Sequence, residues 1–254
     1  AGVVGVISPF NFPFFLSMKS VAPALGAGNG VVLKPHEDSP ITGGTLIGKI
    51  FEEAGVPKGL LNVVVTDIKE IGDAFVEHPI PRIISFTGST KVGSYIGQLA
   101  VKNFKKPLLE LGGNSAFIIM EDADIDYAVQ AATFSRFTHQ GQICMSANRI
   151  LVQKTIYQEF IDKFGAKVST LTTGDPSDPQ TILGPVINNR QAETLQQLIA
   201  QGIEQGAVPL LKGQITGRMV EPTILIDVKP DMVVAQEELF GPVVCIIPFE
   251  TEAE

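Results

Sequence analysis

Five short apolar runs punctuate the first 111 residues: Val3–Ile7, Gly30–Leu33, Asn62–Val65, Arg82–Phe86 and Pro107–Leu111. None keeps the strict apolar–polar alternation of a strand with one wet face. Runs of this kind suit a parallel sheet covered on both sides. The stretches between them have room for helices. Ser39 is placed to N-cap one, with Pro40 at its first position. Leu46, Ile47, Ile50, Phe51 and Ala54 supply its 3.6-residue face, and Gly55 and Pro57 stop it. Thr90–Asn103 reads as another helix, opened by the Gly88–Ser89 turn. The alternation predicts an α/β fold, a doubly wound parallel sheet with ligands at the carboxyl ends of its strands.

The second half is less regular. Ser115–Met120, Arg149–Val152, Val220–Ile226 and Val243–Ile247 read as strands, and Ile125–Phe137 as a helix. Ile156, Phe160, Phe164 and Val168 stripe one further helix; Leu195, Leu198, Ile199 and Gly202 face another. Leu111-Gly112-Gly113 is the expected hinge. We therefore expect two domains, a cofactor-binding sheet over 1–111 and an α/β domain over 112–254. The chain opens on Ala1 and stops just after a strand-like run, so both domains are expected to be truncated.

Composition narrows the function classes. The chain is 44% hydrophobic with mean hydropathy +0.24, enough for a packed core. A formal net charge of −8 opposes sequence-independent nucleic-acid binding, which needs a basic face. No apolar run approaches the roughly 20 residues that span a bilayer. Only two cysteines occur, Cys144 and Cys245, roughly a hundred positions apart, which argues against a zinc cluster or a disulfide framework. Reduced thiols point to the cytoplasm.

Three side chains form one chemical kit. Cys144 sits in Gly-Gln-Ile-Cys-Met-Ser, after a glycine turn where backbone amides can lower a thiol pKa. A lone cysteine is more commonly a buried small hydrophobe. Glu110 ends an apolar strand just before Gly112-Gly113. Burial there would raise its pKa toward that of a general base, whereas a solvated strand end is the plainer reading. Asn11, flanked by Phe10 and Phe12 inside two prolines, is either a rigidly held amide or a turn-forming Asn. Together they offer a nucleophile, a base and an oxyanion donor. The histidines share no motif, so a papain-like Cys–His pair is disfavoured.

Other segments suit a nucleotide. Gly88-Ser89-Thr-Lys-Val92-Gly93 follows a strand and opens a helix. It is not the G-x-G-x-x-G fingerprint, yet a glycine turn at a helix N-terminus can hold a phosphate. Lys34 and Glu37 close the second run and can reach ribose hydroxyls, or simply form a charged turn. Glu238 and Phe240 place an acid and an aromatic together before a strand, as a cofactor contact or an ordinary loop.

In this order the segments Pro-Phe-Asn-Phe-Pro, Gly-Ser-Thr-Lys-Val-Gly, Glu-Leu-Gly-Gly-Asn-Ser, Gly-Gln-Ile-Cys-Met and Glu-Glu-Leu-Phe-Gly-Pro resemble the NAD(P)-dependent aldehyde dehydrogenase superfamily from Val3 to Phe249. The variants look most like its benzaldehyde and vanillin branch. The resemblance implies that Cys144 attacks an aldehyde and forms a thiohemiacetal, then a thioester. Asn11 and the Cys144 amide would hold the oxyanion, and Glu110 would activate water. Ile7, Ser8, Pro9, Phe10, Lys34 and Glu37 would line the adenosine side; Ser89 and Val92 would lie near the pyrophosphate; Leu111, Gln191, Glu238 and Phe240 would approach the nicotinamide. Glu37 favours NAD over NADP. Phe12, Phe14, Phe15 and Phe137 suit an aromatic substrate, or plain core packing. No metal is called for, and a homodimer or homotetramer is expected of the parent. Departures are Phe10 for the family's frequent Trp, Lys91 for a common acid and Asn114 for a common Lys. The rival readings are a CoA-acylating relative, which Glu110 opposes, a cysteine hydrolase and a non-catalytic module.

Overall fold

The computed structural model describes residues 1–254, which divide into two compact units, Ala1–Gly112 and Gly113–Glu254. The first contains β1 (Val3–Ile7), α1 (Pro13–Gly26), β2 (Gly30–Lys34), α2 (Leu46–Glu53), β3 (Leu61–Val63), α3 (Ile68–Ile71), α4 (Ala74–Glu77), β4 (Ile83–Thr87), α5 (Thr90–Lys102) and β5 (Lys106–Glu110). All pairings are parallel and the strand order is β3-β2-β1-β4-β5. The order reverses between β1 and β4, which defines the switch point of a doubly wound sheet. One core gathers Val4, Val6, Val21, Val31, Leu33 and Ile47; a second gathers Val76, Ile84, Phe86, Ile96, Leu99 and Ala100.

Three expectations for this unit change. The helix after β2 opens with a wide π-type turn, Ile41–Thr45, and no side chain caps it. Gly43 and Gly44 press onto Pro13 and Pro35 there; a Cβ on Gly44 would come within 2.6 Å of the Pro35 ring. That close approach, rather than a cap, sets the turn, and the Ser39 hydroxyl is buried without a partner. Within α2 only Ile47 is fully buried, while Leu46 and Ile50 face solvent. Finally, β5 is an edge strand and is largely exposed, so the run ending at Glu110 is not covered on both faces.

The second unit contains β6 (Ala116–Ile119), α6 (Ile125–Phe137), β7 (Arg149–Gln153), α7 (Tyr157–Val168), α8 (Asn189–Glu204), β8 (Val208–Leu211), the hairpin β9 (Ile215–Thr216) and β10 (Met219–Val220), β11 (Thr223–Ile226), α9 (Val233–Gln236) and β12 (Val243–Phe249). Its sheet runs β6-β7-β12-β11-β8, parallel except for β8 at one edge. Along β12, Val244 and Ile246 join one core with Phe160 and Phe164, while Val243, Cys245 and Ile247 join another with Leu195 and Ile199. Successive side chains point to opposite faces, so this strand is buried on both. The expected strand Val220–Ile226 is broken: Val220 belongs to the hairpin and Thr223 begins β11. Pro222 lies at the break, where it has no amide to donate to a ladder. No helix is long and apolar enough to cross a membrane.

Candidate active site

In the first unit the nominated residues sit at the carboxyl ends of β1, β2, β4 and β5. Ile7 pairs with Lys34 in register, and the Ser8 amide donates to the Lys34 carbonyl at 3.2 Å. Ser8 is buried beneath the following turn, with its Oγ 2.7 Å from that of Ser17. Asn11 is also buried, 7% exposed, two residues before the Pro13 start of α1. Phe10 meets His36 edge-on with ring centroids 5.3 Å apart, so the turns after β1 and β2 pack together. Lys34 is 3% exposed, and its Nζ donates to Glu37 Oε2 at 3.0 Å. Partial burial works to raise the Glu37 carboxyl, but its own amide and the Lys34 ammonium outweigh this and hold it below the usual range.

Ser89 N-caps α5, its hydroxyl accepting from the Val92 amide at 3.4 Å. Gly93 packs closely on the Leu111 side chain, which would have to shift for a Cβ that falls 2.1 Å from its Cδ2. The Gly88 amide donates to the Glu110 carbonyl at 3.0 Å. Glu110 itself is solvated: its side chain is 56% exposed and lies 3.4 Å from the Lys19 ammonium. The expected burial of this carboxylate is therefore corrected. An edge strand supplies no second layer over its last residue, and an ion pair this exposed contributes little, about 0–1 kcal/mol.

In the second unit α6 ends in a left-handed sequence of three residues, His139 (φ 54°), Gln140 (φ 56°) and Gly141 (φ 69°). The left-handed region costs a non-glycine residue roughly 1–2 kcal/mol, so the surroundings must hold it. Gln142 does part of this: it is buried, and its Oε1 accepts from the Ile187 amide at 2.9 Å. Gly141 is a forced choice, since a Cβ would sit 2.3 Å from the Gly241 carbonyl oxygen. This clamped turn delivers Cys144 to solvent, whereas Cys245 is buried. Cys144 is thus not the small core hydrophobe that a lone cysteine usually is. Beside α6, an open cleft of about 910 Å³ has Thr138 and His139 on its rim but does not include Cys144. Phe137 is a core residue, 2% exposed, against Phe164. Phe12, Phe14 and Phe15 remain exposed.

The segment before β12 is fixed from several sides. Gln191 Nε2 donates to the Phe240 carbonyl at 3.0 Å. Asn148, buried and not nominated from the sequence, donates to Asn114 Oδ1 at 2.8 Å and the Glu237 carbonyl at 3.0 Å, and accepts from the Leu239 amide at 2.9 Å. Arg136, also unforeseen, is buried inside α6 and reaches the same region. The only sequence signal was a lone cation in the apolar stretch Ala131–Phe137. Glu238 is half-buried; burial raises its carboxyl pKa, against the Gly113 amide and the Arg136 charge. Its Oε1 is enclosed and has no hydrogen-bond partner.

A model of the aldehyde dehydrogenase family matches residues 1–254. The chain belongs to the aldehyde dehydrogenase family. A benzaldehyde dehydrogenase of Bacillus subtilis (strain 168) is 74% identical to this family member over 254 residues, covering 100% of the chain and 52% of the relative. A vanillin dehydrogenase of Corynebacterium glutamicum is 50% identical over 254 residues, covering 99% and 52%. Among solved structures, an NAD-dependent benzaldehyde dehydrogenase from Corynebacterium glutamicum superposes with TM-score 0.94 at 50% identity, over 99% of this chain and 54% of that one. A Mycobacterium tuberculosis aldehyde dehydrogenase complexed with NAD+ gives TM-score 0.95 at 40% identity, over 99% and 53%. The chain spans about half the length of the relatives it matches.

Proposed function

We propose that the full-length protein oxidises an aldehyde, of aromatic type, to its carboxylic acid with NAD(P)+. The observation that carries this reading is the exposed Cys144 thiol on a clamped, left-handed turn in a chain of this family. The printed names of the relatives, benzaldehyde and vanillin dehydrogenases, support the substrate class.

The residues present fit a dinucleotide. Capped α5 and the glycines around Ser89 suit a pyrophosphate, and the exposed Glu37 carboxylate, anchored by buried Lys34, suits ribose hydroxyls. Charged Glu37 repels a 2′-phosphate, which favours NAD. The unpartnered Glu238 Oε1 is an acceptor that suits a further sugar hydroxyl. When bound, the nicotinamide would supply the hydride acceptor.

In this reading the Cys144 thiolate attacks the aldehyde carbon. The Asn11 amide and the Cys144 backbone N–H hold the oxyanion that forms. Loss of hydride leaves a thioester on Cys144. Glu110 then takes a proton from the water that attacks the thioester, releasing the acid and restoring the thiol. The solvent exposure of Glu110 supports a role that needs access to water. The test is Cys144→Ala in the full-length protein, assayed with benzaldehyde and NAD+ in the absence of CoA. Wild type should yield benzoate and the variant none. Turnover retained by the variant removes the thiol from the reaction, and wild-type dependence on CoA removes the hydrolytic step.

A further inference from the structure

A guanidinium in a hydrocarbon core is expensive unless its hydrogen bonds have a purpose. Arg136 is 1% exposed, and burial depresses its pKa to about 10 against the pull of Cys245 and Glu238. No carboxylate lies within ion-pair distance of it, and its Nε has no hydrogen-bond partner. The remaining nitrogens are spent on two backbone segments far apart in sequence. Nη1 donates to Ser146 Oγ at 3.2 Å and to the Ala147 carbonyl at 3.4 Å, just after Cys144. Nη2 donates to the Gly241 carbonyl, at the end of the Glu238–Phe240 segment. That same oxygen fills the space that a Gly141 side chain would need. Ser146 Oγ in turn lies 3.0 Å from the Ser135 carbonyl, in donating position. One side chain thus bridges the turn that presents the thiol and the loop that carries Glu238 and Phe240.

We propose that Arg136 is a positioning residue that holds the Cys144 turn in register with the Glu238–Gly241 loop. It deepens the proposed function and rests on Cys144 being the nucleophile. An apolar residue of similar volume would pack here without a buried charge, so packing alone does not explain a cation. A lysine retains charge and length, but its single nitrogen cannot span both segments as a planar fork does.

The test uses the full-length protein with Arg136→Lys, Ser146→Ala, the double variant, and Cys144→Ala as reference. Read kcat and KM for benzaldehyde and NAD+, the thermal transition, and the alkylation rate of Cys144 by iodoacetamide. Arg136→Lys should lower kcat by about tenfold or more per intact thiol, with both KM values within roughly twofold. Ser146→Ala should lower kcat less, and the double variant should be no worse than Arg136→Lys, because both break one link. Wild-type kcat in Arg136→Lys, or effects that multiply in the double variant, overturn the proposal. Should Arg136→Lys fail to fold, Ser146→Ala decides: reduced kcat with an unchanged melt supports positioning, and unchanged kcat overturns it. If Cys144→Ala retains turnover, the nucleophile reading itself fails, an outcome distinct from all of these.

Discussion

Cys144 and Cys245 carry the same thiol in opposite surroundings. Cys245 is sealed in β12, with its sulfur 3.4 Å from the Asn148 and Val234 carbonyls, and burial pushes its pKa up to about 12. Reaction needs thiolate and access, and this site offers neither. Brief iodoacetamide treatment of native protein should therefore label Cys144 and leave Cys245 intact, as read by peptide mass mapping; equal labelling would contradict the environments described. Gly141 is the second residue on which the site depends. Gly141→Ala combines a positive φ with a Cβ 2.3 Å from the Gly241 oxygen, so the turn must move. A destabilisation of about 2–4 kcal/mol is expected from strain and overpacking together, measured by denaturant unfolding. A change below the error of that measurement would mean that the turn adapts freely.

The turn between β2 and α2 couples a buried cation, an acid and an imidazole. Burial holds His36 below its ordinary 6.5; Glu37 and Asp38 oppose this, and Lys34 adds to it. A folded-state value below the unfolded one means that folding favours the neutral ring. Its contribution is complete above pH 6.5 and is lost as pH falls through the folded value. Glu37 has the same sign in a lower window, present above its ordinary 4.5 and lost below. The urea midpoint should accordingly fall between about pH 7.5 and about pH 5.5, and His36→Gln should flatten that slope while sparing the later acid loss. An unchanged slope in the variant would remove His36 as the cause. The same turn governs cofactor choice in the proposed function. Glu37→Gln should lower the preference for NAD over NADP in kcat/KM by about tenfold, the scale of one charged contact. An unaltered preference would exclude the ribose contact.

The proposed reaction gives Asn11, Glu110 and Cys144 separate tasks. Glu110→Gln in the full-length protein should give one burst of NADH per thiol and then a steady rate at least about a hundredfold lower, since only deacylation loses its base. Full turnover, or no burst, would deny Glu110 that role. How far such residues could be read from sequence depended on how local their causes are. β1, α6 and α5 follow from local sequence pattern, so their observed bounds match the expected ones closely. The helix α1 was not foreseen, because Pro23 lies within it and interrupts a helical reading. Leu46 and Ile50 fit a helical face by spacing, yet the sheet covers only the Ile47 side. The amino-acid order by itself determined the alternation of strand and helix, the apolar stripes of α7 and α8, and which side chains can do thiol, carboxylate and amide chemistry. Only tertiary structure decided that β5 lies at an edge and leaves Glu110 in water, that Gly44 rather than Ser39 shapes the turn before α2, and that Arg136 bonds Gly241, 105 positions further along the chain. Those outcomes depend on which surfaces meet after the chain has closed, and no local window contains both partners.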